Sequence, residues 1–264
     1  MFRHAGVQPN QRAHLRRPEA DASRRARPGR LRLRPGAGTL TEARRRPVWL
    51  FDLDDTLHDA SHAIFRTIDR RMTDFVAREL DLARDEANRL RTLYWHRYGA
   101  TLLGLVRHHG VDAQHFLRET HDFDVAELLR AERGLARLFA RLPGRKVLLT
   151  NAPRAYAGSV LRELRLHSHI ATRYTIERMR IHGSFRPKPS QLMLRTMLAR
   201  ERIRPADAVL IEDSARNLKS ARALGLRTVL ITRHGLQPAR RRLAGSYVGL
   251  RIHTLHALAR RTPR

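Results

Sequence analysis

The sequence predicts an α/β fold: a doubly wound parallel sheet with a helical segment inserted after the first strand. Three observations carry this. Four apolar runs of strand length, 48-VWLF-51, 146-KVLLT-150, 208-AVLIED-213 and 227-RTVLIT-232, each end abruptly in polar residues. Nearly continuous apolar runs suit strands buried on both faces of a parallel sheet. Helical patterns separate the last three runs, and alternating strand and helix with short links is the signature of such sheets. About 85 residues with no strong strand signal lie between the first two runs, whereas a crossover needs only about a dozen.

The elements follow in order. Residues 1–46 carry 13 Arg and 3 acids, with Pro or Gly at 9, 18, 28, 29, 35, 36 and 38 and no sustained apolar period. They read as a disordered basic arm; the same composition suits sequence upstream of a true start, and the helix breakers argue against a transit peptide. The core is expected at 47–59 and 142–250, with a helical insert at 60–141 and a basic tail at 251–264. In the insert, Ile64, Ile68, Met72, Phe75, Val76 and Leu80 recur at helical spacing, with Ser61 as a cap. Leu90, Leu93 and Tyr94 mark a second helix, and further helices are expected near 100–109, 112–119, 124–131 and 133–141. After the second strand, Pro153 suits the first position of a helix in 153-PRAYAGSVLREL-164. Leu192, Met193, Met197 and Leu198 mark the helix before the third strand. Gly225 stops the helix after it.

Composition excludes several classes. No run approaches the roughly 20 apolar residues a membrane helix needs, and no apolar core of a secretory signal lies near the start. The absence of cysteine removes disulfides, thiolate catalysis and cysteine metal sites, and it suits a reducing, cytoplasmic setting. The net charge is +28, of which +10 falls in residues 1–46, +8 in 233–264 and +10 in the long middle. Basic ends of this kind give nonspecific, salt-sensitive contact with polyanions, not a nucleic-acid-binding core. Of the 53 basic residues 50 are Arg, a bias that also follows from a GC-rich genome. The Arg240-Arg241-Arg242 run reads as a solvated face.

The polar groups fall where the strands run out. Asp52 and Asp54 follow the first strand, Thr150 and Asn151 the second, and Glu212 and Asp213 the third; Lys188 sits between two prolines in 186-RPKPS-190, which holds its backbone extended. In open parallel sheets ligands bind beyond the carboxyl ends of the strands. Carboxylates gathered there cannot all stay ionised without compensation. Oxygen-only donors favour Mg²⁺, and one lysine beside such a metal suits a phosphoryl group. Histidine metal sites are not expected, because His108-His109, His167 and His169 lack carboxylate neighbours at useful spacing. Tyr94, Trp95 and Tyr98 read as helix-packing aromatics, and Asp55 as a loop residue.

These residues together resemble the haloacid dehalogenase (HAD) superfamily. Its motifs are matched in order by 52-DLDDT-56, Thr150 in LLTN, Lys188, and Glu212-Asp213 in 208-AVLIEDSARN-217, over about 48–235. The resemblance implies a Rossmann-like core and a helical cap. It makes Asp52 the nucleophile, forming an aspartyl-phosphate, and Asp54 the general acid and then base. Thr150, Lys188 and Asn151 would bind the phosphoryl group. Mg²⁺ would be held by Asp52, the main-chain carbonyl of Asp54 and Asp213, with Glu212 contacting it through water. Asn217 replaces a further Asp found in many relatives, which shifts weight to Glu212. Asp54, whose counterpart dehalogenases generally lack, favours phosphate transfer.

Within the insert, 94-YWHRYGATLLGLVRHHGVDAQHFLRETHDFDVAELL-129 resembles the pyrimidine 5′-nucleotidase branch, with Gly99 and Gly104 expected to let backbone approach the ligand. The expected substrate is a small phosphorylated metabolite, a pyrimidine nucleoside 5′-monophosphate first. Sugar phosphates, phosphoglycolate and mutase chemistry are the alternatives, and a nucleic-acid-associated role of the basic ends is the second alternative.

Overall fold

The fold is described from a computed structural model, over residues 46–234 and 245–259. The basic arm up to residue 45, the Arg240–Arg242 run and residues 260–264 of the expected tail lie outside the described residues.

The four long apolar runs form strands. β1 (Val48–Phe51) opens the fold. The insert follows, with α1 (Ile64–Glu79), α2 (Arg84–Tyr98), α3 (Thr101–His109), α4 (Ala113–His121) and α5 (Leu135–Arg141). β2 (Arg145–Leu149), α6 (Arg154–Glu163) and β3 (Thr172–Tyr174) come next, then the two-residue strands β4 (Arg180–Ile181) and β5 (Ser184–Phe185). α7 (Gln191–Arg200), β6 (Ala208–Glu212), α8 (Ala215–Ala223), β7 (Arg227–Ile231) and β8 (Leu250–Ile252) complete it. One six-stranded sheet runs in the order β3-β2-β1-β6-β7-β8, parallel throughout. β4 and β5 make a separate antiparallel hairpin.

Both faces of the sheet are covered, and the pleat sorts the side chains. Trp49, Phe51, Leu148, Val209, Ile211, Val229 and Ile231 enter one apolar cluster. Leu50, Val147, Leu149, Leu210 and Leu230 enter another on the opposite face. This alternation is why the strands read as unbroken apolar runs. The insert closes around its own cluster, including Phe75, Val76, Tyr94, Leu102, Leu105 and Phe116, joined by Ile176 and Phe185. α1 supplies the expected stripe, with Ile64, Ile68, Phe75 and Val76 buried.

Several local expectations change. Ser61 does not cap α1, whose cap position is Ala63 without a side-chain bond; instead the Ser61 backbone N–H donates to Asp55 Oδ1 at 2.8 Å and its hydroxyl donates to Oδ2 at 2.5 Å. Pro153 sits one residue before α6, as its cap residue. No helix forms over 124–131: the Asp124 carboxylate takes the Ala126 amide, and the Arg130 carbonyl accepts from Asp59 N at 2.7 Å, so the backbone serves turns and the loop after β1. β3 and β8 have three residues each, too few to show a period. β8 pairs with β7, so the sheet extends past 250 and the expected tail begins inside a strand. Gly225, at φ +85°, follows α8 as expected of a helix stop.

Candidate active site

The strand order decides which chain ends meet. β1 lies between β2 and β6, with Phe51 opposite Leu148 on one side and Ile211 on the other. The chain leaves β1 for β2 on one side and returns through β6 on the other, a topological switch point, where clefts open at the carboxyl ends. Asp52 stays tied to β6 through its amide, which donates to the Ile211 carbonyl at 3.1 Å. After it the chain turns sharply. Thr56 and Leu57 amides both donate back to Leu53, buried Leu53 and Leu57 pin the turn, and Asp55 takes φ +55°. Asp tolerates that region better than most side chains. Asp55, read from sequence as a loop residue, is buried and holds Ser61.

Lys188 is the centre of the charged cluster. Its Nζ lies 2.5 Å from Asp52 Oδ1 and 2.8 Å from Glu212 Oε2, and it is only 5% exposed. Burial pushes its pKa down, but the carboxylates of Asp52 and Glu212 more than reverse this and hold it above the ordinary lysine range. Asp52, Glu212 and Asp213 each offer a carboxylate oxygen, all within 4.8 Å of one another. Burial, then the charge of Glu212, raises the Asp52 pKa well above the usual carboxylate range. Burial and the charge of Asp52 push Asp213 up to about 7. Three carboxylates face one ammonium, so the cluster carries negative charge that a cation would relieve. The donors are all oxygens, which suits a hard divalent ion held in part by these residues.

The other expected residues divide by task. Thr150 is buried, its amide bonds the Tyr174 carbonyl and its Oγ1 accepts from Ala152 N at 3.0 Å. Its hydroxyl proton stays available to an acceptor. Asn151 spends its amide on the Lys188 backbone: Lys188 N donates to Oδ1 at 2.8 Å and Nδ2 donates to the Lys188 carbonyl at 3.1 Å. It positions the lysine. Glu212 gives Oε2 to Lys188 and Oε1 to the Ser214 amide at 3.1 Å, and it is fully buried. Both its oxygens are thus engaged in anchoring.

Two residues that sequence reasoning missed hold Asp54. His58 Nε2 lies 3.0 Å from Asp54 Oδ1, and the Tyr156 hydroxyl donates to the same oxygen at 2.7 Å. Burial pushes the Asp54 pKa up; the His58 hydrogen bond and charge, then Tyr156 and the more distant His121, outweigh it and bring the carboxyl below its usual value. The sequence carried a signal for His58, four residues after Asp54 in DLDDTLH. It carried none for Tyr156, which is 102 positions away. His121 of the insert packs edge-on to the Tyr156 ring at 5.6 Å.

The two glycines singled out in the insert differ: one serves packing and one ends a helix. A Cβ on Gly104 would lie 2.1 Å from Tyr94 Cγ, so glycine here lets α2 and α3 touch. Gly99, at φ +84° with nothing near, ends α2. Tyr94 and Tyr98 hydroxyls pair with His109 and His108 at 2.7 and 2.6 Å, so both aromatics join the two helices, as expected of packing residues. Trp95 is 56% exposed.

Among the described residues, no helix is long and apolar enough to cross a membrane. Comparison with known proteins gives a consistent setting. The chain is 24% identical over 196 residues to Phosphate metabolism protein 8 of Saccharomyces cerevisiae, covering 70% of this chain and 61% of that protein; it thus spans less than two thirds of its relative. Its fold matches the crystal structure of a HAD phosphatase from Thermococcus onnurineus, with a TM-score of 0.56, 18% identity, and 82% and 97% of the two chains covered. It also matches the HAD-hydrolase YfnB of Bacillus subtilis bound to magnesium, with a TM-score of 0.53, 15% identity, and 82% and 98% covered. The family model for haloacid dehalogenase-like hydrolases matches residues 48–225. With that match across most of its described length, and with its motif residues gathered at the carboxyl ends of β1, β2 and β6, the chain belongs to the haloacid dehalogenase-like hydrolases.

Proposed function

We propose that the chain is a Mg²⁺-dependent phosphomonoesterase that works through an aspartyl-phosphate, acting in the cytoplasm on a small phosphorylated metabolite, a pyrimidine nucleoside 5′-monophosphate first. The observation that carries the chemistry is the Asp52–Lys188–Glu212 arrangement beside Asp213 and Asp54. The family supports hydrolysis, and the named relatives, a phosphatase among them, support phosphate esters as substrates.

In the first step an Asp52 carboxylate oxygen attacks phosphorus. The bond to the leaving oxygen breaks, and Asp54 delivers a proton to that oxygen. In the second step water attacks the same phosphorus. Asp54 takes the water proton, and the bond from phosphorus to Asp52 breaks to release phosphate and restore the carboxylate. Lys188 and the Thr150 hydroxyl neutralise and bond the phosphoryl oxygens. His58 and Tyr156 fix Asp54 Oδ1, which leaves Oδ2 for the proton. Asp52, the Asp54 carbonyl and Asp213 would hold Mg²⁺, with Glu212 at one remove through water. The ion supplies charge neutralisation for the transferring group. The insert over 60–141 serves as the cap, excluding water and reading the leaving group.

The nucleotide assignment rests on the sequence pattern over 94–129. Purified protein should release phosphate from p-nitrophenyl phosphate with Mg²⁺ and lose activity with EDTA. Asp52→Asn should be folded and inactive; undiminished turnover in that variant would falsify the role of Asp52. A phosphate-release screen should favour UMP or CMP. A profile flat across nucleotides, sugar phosphates and phosphoglycolate would remove the base from the reading.

A further inference from the structure

A cavity of about 800 Å³ opens beside α6. Its wall includes Arg118 and His121 of α4, Arg154, Tyr156 and Arg162 of α6, and Arg173 of β3. Asp52, Thr150, Lys188 and Asp213 do not line it, so it is not where the phosphoryl group is transferred. Its charge is unbalanced. Two carboxylates, Asp122 and Glu177, also line it. Glu177 is already committed, accepting the Arg154 amide at 2.8 Å and the Thr175 hydroxyl at 2.6 Å. Among the described residues, none of the four arginines forms an ion pair with a carboxylate.

Two of the arginines are also held in place. Arg173 donates to the carbonyls of Ile170 and His167 at 3.2 and 3.1 Å, and Arg162 donates to Ser159 Oγ at 2.9 Å. Arg173 is half-buried. Burial, then repulsion from Arg154 and Arg162, lowers its pKa, so the charges of Arg154 and Arg162 are felt at Arg173. Like charges sharing one concave wall, Arg173 half-buried and Arg118, Arg154 and Arg162 exposed, repel one another at a cost in energy. An anion that bridges them recovers that energy, and guanidinium groups bind phosphate and carboxylate in paired hydrogen bonds.

We propose that this cavity is a second anion site, which takes a small molecule through a phosphate or carboxylate group distinct from the phosphoryl group transferred at Asp52. The anion has two possible sources: a second acidic group on the substrate itself, which rests on the phosphatase reading, or a free effector. In either case it lies one side chain from the proton-handling carboxylate, because Tyr156 lines the cavity and bonds Asp54.

The test is calorimetric titration of inorganic phosphate into the full-length chain at low ionic strength. The wild type should show two classes of site. Arg118→Glu with Arg162→Glu should weaken one class about tenfold or more, while Arg118→Lys with Arg162→Lys keeps most of the affinity. A single class of site unaffected by the double glutamate substitution, or no phosphate binding in the wild type, overturns the proposal. The charge-retaining pair guards against a folding defect: equal loss in both double variants with unchanged circular dichroism also overturns it.

Kinetics then separate the sources. If the anion belongs to the substrate, the glutamate pair raises KM for fructose 1,6-bisphosphate about tenfold and leaves KM for p-nitrophenyl phosphate unchanged. If it is an effector, inorganic sulfate alters p-nitrophenyl phosphate hydrolysis in the wild type and not in the variant. Absence of any hydrolysis by the wild type would count against the phosphatase reading and leave the binding isotherm to decide this one.

Discussion

Replacing Lys188 with methionine keeps most of the side-chain volume and deletes one buried charge. In the wild type that ammonium is 2.5 Å from Asp52 and 2.8 Å from Glu212, with Asp213 completing a trio of carboxylates within 4.8 Å. Without it, three acids face each other in a site where Asp52 and Glu212 are buried. Removing one member of a buried ion pair costs about 3–5 kcal/mol. For a chain of this size each kcal/mol moves the melting temperature by about 2–4 °C, so the Lys188→Met variant should melt about 6–20 °C lower at pH 8. The pH dependence gives the mechanism. The folded-state pKa values of Asp52, Glu212 and Asp213 are raised already, and losing the lysine raises them further. An acid whose folded pKa is raised favours folding at low pH and loses that contribution as pH rises through the folded value. The deficit should therefore grow as pH rises through the value near 7 to which Asp213 is pushed and shrink as pH falls below it. Thermal melts followed by circular dichroism at pH 5, 6.5 and 8, without divalent cations, measure it. A variant within about 2 °C of the wild type at pH 8, or one with the same deficit at pH 5 and pH 8, would refute the reasoning.

Other substitutions test the neighbouring devices. Tyr156→Phe removes the hydroxyl that donates to Asp54 Oδ1; kcat should fall about tenfold, and the basic limb of kcat/KM, set by the protonated Asp54 that the first step needs, should move to higher pH as Asp54 loses a group that holds its pKa down. An unchanged pH profile would remove Tyr156 from the proton-handling unit. His121 is pushed down to about 4, chiefly by burial, so the unfolded chain takes up its proton first: its contribution to stability is present above pH 6.5 and lost as pH falls toward 4. That amounts to roughly 2 kcal/mol between pH 7 and pH 5, and urea midpoints of His121→Asn should fall less over that range than those of the wild type. Gly104→Ala places a Cβ 2.1 Å from Tyr94 Cγ and forces α2 and α3 apart. It should cost about 1–3 kcal/mol, and an unchanged melting temperature would show that the two helices are not packed through this glycine.

Much of the fold was legible because its signals are local. VWLF, KVLL, AVLIE and RTVLI announce buried strands by their unbroken apolar runs, and α1 announces itself by period. Three-residue β3 and β8 were not legible, since a strand that short is formed by the open edge of its neighbour. The helix expected at 124–131 gave way for a similar reason, its backbone being drawn into bonds with the loop after β1. At the site, polar residues at strand ends nominated Asp52, Asp54, Thr150, Asn151, Glu212 and Asp213, and the two flanking prolines marked Lys188.

What the sequence by itself determined is a parallel sheet with acids at its strand ends and one lysine between two prolines, because apolar runs, their polar ends and proline neighbours are properties of adjacent residues. What only the tertiary structure decided is the partnership among them. Strand order placed β1 between β2 and β6, and that brought Lys188 between Asp52 and Glu212, turned the Asn151 side chain onto the Lys188 backbone, and set Tyr156 on Asp54 across 102 positions. A side chain's partner depends on how the strands are ordered and in what register, and no local pattern encodes that distance.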